Sequence, residues 1–149
     1  MVIKFARWAF EKFPGAQDKL GTQMRAVGEV MSIGKNYKEA LQKAIRSLEI
    51  NRYGLGFAKN FNQYSLDELL SMLTEPTSER QFIMYEALRK GAPVDQLYKE
   101  TQIKPYFIEQ TNELVLLEAG NPKVQGGKHA NNLYQLIRNP VLSNTYLLC

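Results

Sequence analysis

Between Ser65 and Gly120 the chain carries start and stop signals for four helices in close succession, and this punctuation restricts the fold more than any other feature. Ser65-Leu66-Asp67-Glu68 has the form of a capping box, in which a serine hydroxyl and a glutamate three residues on satisfy each other's free backbone N–H groups. It opens an apolar run through Leu69, Leu70, Met72 and Leu73 that must stop before Pro76. Ser78 to Gln81 repeats the Ser-x-x-Gln form and predicts a second helix holding Phe82, Ile83, Tyr85, Ala87 and Leu88, closed by Gly91. Pro93 suits the first turn of a third helix with Val94, Leu97 and Tyr98. After a tight turn at Gln102-Ile103-Lys104, Pro105 opens a fourth, with Phe107, Ile108, Leu114, Val115 and Leu117, ending before Gly120 and Pro122. Short connections between helices of unequal length predict a small helical unit over 65–119.

Upstream the pattern differs. Val2 to Phe5 is short, apolar and β-prone, and Ala26 to Ile33 reads as a second strand closed by Gly34. A lone strand pair is marginal in water, so these two are expected to complete a sheet supplied from elsewhere. From Asn36, a candidate N-cap, helical spacing returns with Ala40, Leu41, Ala44, Ile45 and Leu48, to about Glu49. The glycines of Tyr53-Gly54-Leu55-Gly56-Phe57 and the polar stretch after them place a junction near residue 56. Charge changes there too. Residues 1–60 hold 11 Lys/Arg against 5 Asp/Glu, 61–120 hold 5 against 10, and 121–149 hold 3 against none, so a net +4 conceals segments of +6, −5 and +3.

The search for chemistry returns little. His129, the single histidine, sits in a Gly/Asn-rich stretch without ligand-spaced partners and reads as a surface residue. Cys149 is the single cysteine, so no internal disulfide is available and a reducing, cytoplasmic setting is implied. No stretch approaches the roughly 20 apolar residues of a bilayer span, and no secretory leader is evident. Gly54-Leu55-Gly56 follows a helix instead of joining a strand to one, which suits a turn better than a phosphate cradle. Residues 91–114 have the outline of a DNA-binding helix-turn-helix, but the helix that would enter the groove carries Glu109, Glu113 and Glu118 and no Lys or Arg, so nucleic acid is not expected as a partner. Phe57, Phe61, Tyr64, Tyr85, Tyr98 and Tyr106 are more apolar surface than short helices readily bury, and they form the candidate association surface.

Two stretches carry a family resemblance. Trp8-Ala9-Phe10-Glu11-Lys12-Phe13-Pro14-Gly15-Ala16 and Leu20-Gly21-Thr22-Gln23-Met24-Arg25-Ala26-Val27-Gly28-Glu29-Val30-Met31-Ser32-Ile33-Gly34 resemble the end of the first ATP-grasp half of the carbamoyl-phosphate synthetase large subunit. Thr22, Gln23 and Val27 favour the first of that family's two homologous halves. Tyr37 to Ile50 resembles the helix that precedes the family's oligomerisation domain, and looser likeness continues in order through Glu79-Arg80, Tyr85 to Gly91, Ile103 to Phe107 and Leu114 to Glu118. Residues past Gly120 lack the pattern typical of that domain's end.

The resemblance implies a mainly α chain: 1–56 a β-containing remnant of the ATP-grasp (carboxyphosphate) domain, 57–120 the helical oligomerisation domain, and 121–149 an unmatched tail. It implies a parent ligase that makes carbamoyl phosphate from bicarbonate, Mg-ATP and glutamine-derived ammonia for pyrimidine and arginine synthesis. The family's ATP and metal ligands lie upstream of this chain, so this part is expected to be inactive alone, with no catalytic, cofactor or metal residue of its own. The implied partners are the rest of the large subunit, the parent's glutaminase small subunit and a further copy of the chain. Met24 falls where the family lines its internal carbamate passage, and a buried core methionine is the alternative. An independent helical regulatory or adaptor protein sharing only the fold is the competing function class.

Overall fold

The computed structural model describes residues 1–8, 10, 15, 17–21, 26–52, 54–57 and 61–120. Met24, His129, Cys149, the side chain of Phe57 and the 121–149 tail lie outside the described residues. The fold is mainly helical with one small sheet, as the sequence predicts.

Strand β1 (Val2–Trp8) and strand β2 (Ala26–Ile33) pair antiparallel, Val2 opposite Ile33 and Phe5 opposite Val30, with an irregularity at Arg7/Trp8. Among the described residues the strands pair with each other and with nothing else, and β1 runs three residues past Phe5. Alternation sends Ile3 and Phe5 inward against the core. The inner face rests on helix α1 (Tyr37–Ser47), where Ser32 Oγ donates to the Ala40 carbonyl at 2.5 Å. A backing helix supplies what a bare strand pair lacks.

Asn36 caps α1 as its position suggests, its side-chain oxygen accepting the Glu39 N–H at 2.9 Å. Glu39 is buried but not isolated: its carboxylate accepts the Lys35 N–H at 2.8 Å and pairs with Lys43 at 2.8 Å. After a 3₁₀ turn at Leu55–Phe57 come α2 (Leu66–Leu73), α3 (Arg80–Arg89), α4 (Val94–Thr101) and α5 (Pro105–Ala119). The capping box of α2 forms in full, Ser65 accepting from the Glu68 N–H and Glu68 from that of Ser65. Helix α3 closes with Gly91 at φ +91°, where Gly91 N–H donates to Leu88 and Ala92 N–H to Ala87, the two bonds of a Schellman motif.

The second capping box does not form. Glu79 occupies the N-cap of α3 without a side-chain bond, because Ser78 is engaged by Asp18, which accepts its N–H at 2.9 Å and its hydroxyl at 2.5 Å. Pro93 likewise stands at the N-cap of α4, just outside the first turn.

Helix α3 lies at the centre. Seven consecutive residues, Phe82 to Leu88, are buried, so no face of it meets water over two turns. Around it gather Leu41 and Ile45 of α1, Leu55 of the 3₁₀ turn, Phe61 from the stretch before α2, Leu69 and Leu73 of α2, Leu97 of α4, and Ile108, Leu114 and Val115 of α5 in one continuous cluster. Leu55, next to the junction expected at residue 56, belongs to it. Two polar groups that the middle of α3 carries inward are matched: buried Glu86 takes a two-pronged bond from Arg89 at 3.0 and 3.1 Å, and the Tyr85 hydroxyl donates to Glu118 of α5 at 2.5 Å. Gly56 makes room for that carboxylate, since a Cβ there would lie 2.7 Å from its oxygens. In the first turn of α3, Arg80 Nε and Gln81 Nε2 are buried without a hydrogen-bond partner.

Two outcomes follow. Ile45→Ala leaves a cavity in the shared core and should cost about 2–5 kcal/mol, with α1 and α3–α5 melting in one transition when followed by circular dichroism and by hydrogen exchange. Burial raises the Glu118 carboxyl above its ordinary range, outweighing the lowering by Tyr85 and Arg89, while Glu86 adds to the rise. The folded state therefore holds that proton more tightly than the unfolded chain, and the group's contribution to stability falls as pH rises through the window above the ordinary carboxylate value. Glu118→Gln, which still accepts from Tyr85, should be neutral or stabilising at pH 7 and lose any advantage near pH 4, as read by urea unfolding at both values.

Candidate association surfaces

The aromatic set singled out in the sequence divides once burial is known. Phe61 (7% exposed) and Tyr85 (1%) are core residues, because the first tucks under α2 and α3 and the second lies on the enclosed helix. Tyr64 is half-buried against Phe61, ring centroids 6.3 Å apart. Tyr98 (41%) and Tyr106 (49%) are exposed.

Tyr106 belongs to an aromatic group that the sequence reading did not assemble. Tyr37, just after the cap of α1, packs its ring 5.3 Å from Phe107 and 6.3 Å from Tyr106, and Tyr106 and Phe107 stand 5.3 Å apart at the start of α5. Burial, and secondarily Tyr106, pushes the Tyr37 hydroxyl up to about 12, so it stays a neutral donor. An ion pair between Lys38 and Glu113 ties the same two helices together. Leu116, 63% exposed, adds an apolar residue further along α5. Both omissions had a signal. Adjacent aromatics at a helix start point about 100° apart, and four apolar residues in a row, Leu114 to Leu117, wrap most of a helix, so on a helix not enclosed all round some of them face out.

A second apolar surface is the outer face of the sheet, where Val2, Val27, Met31 and Ile33 are 49–65% exposed around a Lys4–Glu29 ion pair of 2.9 Å.

Two hollows flank the start of α3. One, of about 380 Å³, is lined by Arg7, Trp8, Glu49, Arg52, Glu79 and Phe82 among others. In it Arg52 pairs with Glu79 at 2.6 Å through Nη2 and lies 3.9 Å over the Phe82 ring, while its Nη1 is buried without a hydrogen-bond partner. Burial raises the Glu79 carboxyl, and Arg52 offsets part of that rise. The other, of about 560 Å³, is lined by Asp18, Phe61, Met72, Thr77, Glu79 and neighbours, and Asp18 there is occupied by Ser78. Arg52 in the first hollow and Asp18 in the second thus hold loop 49–52 and residue 18 onto the start of α3. Among the described residues no three His, Cys, Asp or Glu side chains gather where they could hold a metal ion, and no helix is long and apolar enough to cross a membrane.

Comparison with known proteins places this architecture. The model of the carbamoyl-phosphate synthetase large chain oligomerisation domain matches residues 29–139, starting inside β2 and including all five helices. The carbamoyl phosphate synthase large chain of Archaeoglobus fulgidus is 47% identical over 118 residues, 79% of this chain and 11% of that protein. That of Methanothrix thermoacetophila is 43% identical over 118 residues, with the same coverage. The N-terminal section of the Aquifex aeolicus large chain is 45% identical over 118 residues, 21% of its length. The chain thus spans between about a tenth and a fifth of the length of the curated relatives it matches. With the family model covering most of the chain and identities above 40%, the chain belongs to the carbamoyl-phosphate synthetase large chain family, in its oligomerisation domain.

Proposed function

We propose that the chain is a non-catalytic part of a carbamoyl-phosphate synthetase large chain, its helices serving oligomerisation and the scaffolding of neighbouring domains. The observation that carries this reading is the match of the oligomerisation-domain model across α1 to α5, together with aromatic surface left outside a closed core. In the parent, bicarbonate, Mg-ATP and glutamine-derived ammonia would be turned into carbamoyl phosphate at sites built by other parts of the polypeptide, with a glutaminase subunit as supplier of ammonia. Phosphoryl transfer needs a metal clamp and cationic groups converging on the phosphates. Arg52, the largely buried cation beside α3, pairs with Glu79 through Nη2 and lies over Phe82. An association role needs no such constellation. It needs aromatic anchors on a rigid support, and the Tyr37, Tyr106 and Phe107 group, on two helices tied by the Lys38–Glu113 ion pair, has that character.

Two measurements test the proposal. Calorimetric titration with Mg-ATP should show no binding by the chain; micromolar affinity would overturn the non-catalytic reading. Sedimentation over a wide concentration range should show self-association that Tyr106→Glu with Leu116→Glu weakens by about tenfold or more, the scale of losing one interface anchor. If those exposed-site changes leave association untouched, the helices act as an internal spacer.

A further inference from the structure

The start of α3 offers one residue, Ser78, to two partners that compete for it. In the structure Asp18 accepts its N–H at 2.9 Å and its hydroxyl at 2.5 Å. Ser78 and Gln81 also stand at the spacing of a capping box, in which the serine oxygen accepts the Gln81 N–H and the glutamine side-chain oxygen accepts the Ser78 N–H. The Ser78 N–H is common to both arrangements, so forming one dissolves the other.

We propose that Ser78 is a two-state switch between the N-terminal segment and the helical unit. With residues 17–20 docked, Asp18 holds it; when they leave, it closes the capping box with Gln81 and lengthens α3 by one residue. The backbone is close to this second state already. Glu79 has φ −89° and ψ −1°, in the helical region, so moving the N-cap from Glu79 back to Ser78 asks for a change chiefly at Ser78. Glu79 then becomes the first helical residue, where a carboxylate suits the helix dipole.

The docked state is also imperfect. No side chain caps α3 in it, and Thr77 Oγ1, Arg80 Nε and Gln81 Nε2 are buried without a partner, which raises the energy of the state that contains them. The hold on residues 17–20 is polar and largely exposed. Besides the Asp18 bonds, Leu20 N–H donates to the Pro76 carbonyl at 2.7 Å, and Lys19 pairs with Glu75 at 3.2 Å. That ion pair is 57% and 64% exposed on its two partners and adds little. Leu20 is half-buried and outside the core cluster. The capping box therefore offsets much of what release costs, and the two states lie close enough in energy to exchange. Because the other helices pack around α3, the helical unit registers through its first turn whether residues 17–20 are in place.

Amide exchange on the full chain, read residue by residue by NMR, tests the switch. Gln81→Ala deletes one arm of the box and removes no hydrogen bond of residues 17–20. It makes the released state rarer, so the Leu20 amide should exchange about threefold to fivefold more slowly, the scale of a helix cap. A merely supporting role for Gln81 gives faster or unchanged Leu20 exchange, and either result overturns the proposal. Asp18→Ala should slow exchange of the Gln81 amide by about fivefold, and adding Ser78→Ala should abolish that gain. No slowing at Gln81 overturns it as well. By urea unfolding, Asp18→Ala and Gln81→Ala together should lower the folding constant about fivefold more than the product of their separate effects, because only the double variant loses both arrangements. Simple multiplication of the two effects would mean that Ser78 does not exchange partners.

Discussion

Everything in this fold is arranged around the burial of α3. A helix enclosed on every side for seven residues cannot be stabilised by one amphipathic stripe; it needs neighbours all round, and α1, α2, α4, α5 and the Leu55 turn supply them. That requirement accounts for the mixed lengths and short connections of the other helices, each of which contributes one to three side chains to a common cluster. It also accounts for the treatment of polar groups. A carboxylate carried into such a centre would cost several kcal/mol if left alone, and Glu86 is met in both lone-pair directions by a guanidinium one turn away.

The ends of the same helix are held by groups from distant parts of the chain. At its start, Asp18 takes both hydrogen-bonding groups of Ser78, sixty residues away, and Arg52 clamps Glu79 while lying on Phe82. Toward its other end, Tyr85 reaches Glu118 in the last turn of α5, under a glycine whose missing side chain leaves the space. The contacts of Asp18 and Arg52 fasten the N-terminal segment to the helical unit by specific polar bonds, in addition to the core that Leu41 and Ile45 share with it. At Arg52 and at Tyr85, removing either partner would leave the other buried and unsatisfied, which is the costly direction for such pairs.

How legible this was from sequence depended on whether a device closes locally. The Ser65–Glu68 box, the Asn36 cap, the Gly91 terminus and the Pro105 start are made by residues within a few positions of one another, and each stands where the pattern places it. Ser78 has the same local signature, yet Asp18 outcompetes its own helix, and no spacing rule carries that information. Phe61 and Tyr85 failed as surface candidates for a related reason: an aromatic in a short apolar run is equally consistent with either side of a helix until the neighbours are known. The strand pairing was obscured by loop length, since residues 9–25 separate β1 from β2 and no two-residue hairpin turn joins them.

The two exposed apolar regions differ in kind, and the difference bears on what each is for. Tyr106 and Phe107 project from a helix whose other faces are already anchored at Ile108, Thr111 and Leu114, so that patch is presented on a rigid support and loses little freedom on contact. The sheet is backed by α1 from one side only, and among the described residues its strands have no strand neighbours beyond each other. Covering its outer face would add to the support that α1 already gives the inner one. Contact at the helical patch thus adds affinity to a support already rigid, whereas contact at the sheet also steadies the strands it touches, and the ordering of β1 and β2 becomes linked to whatever covers them.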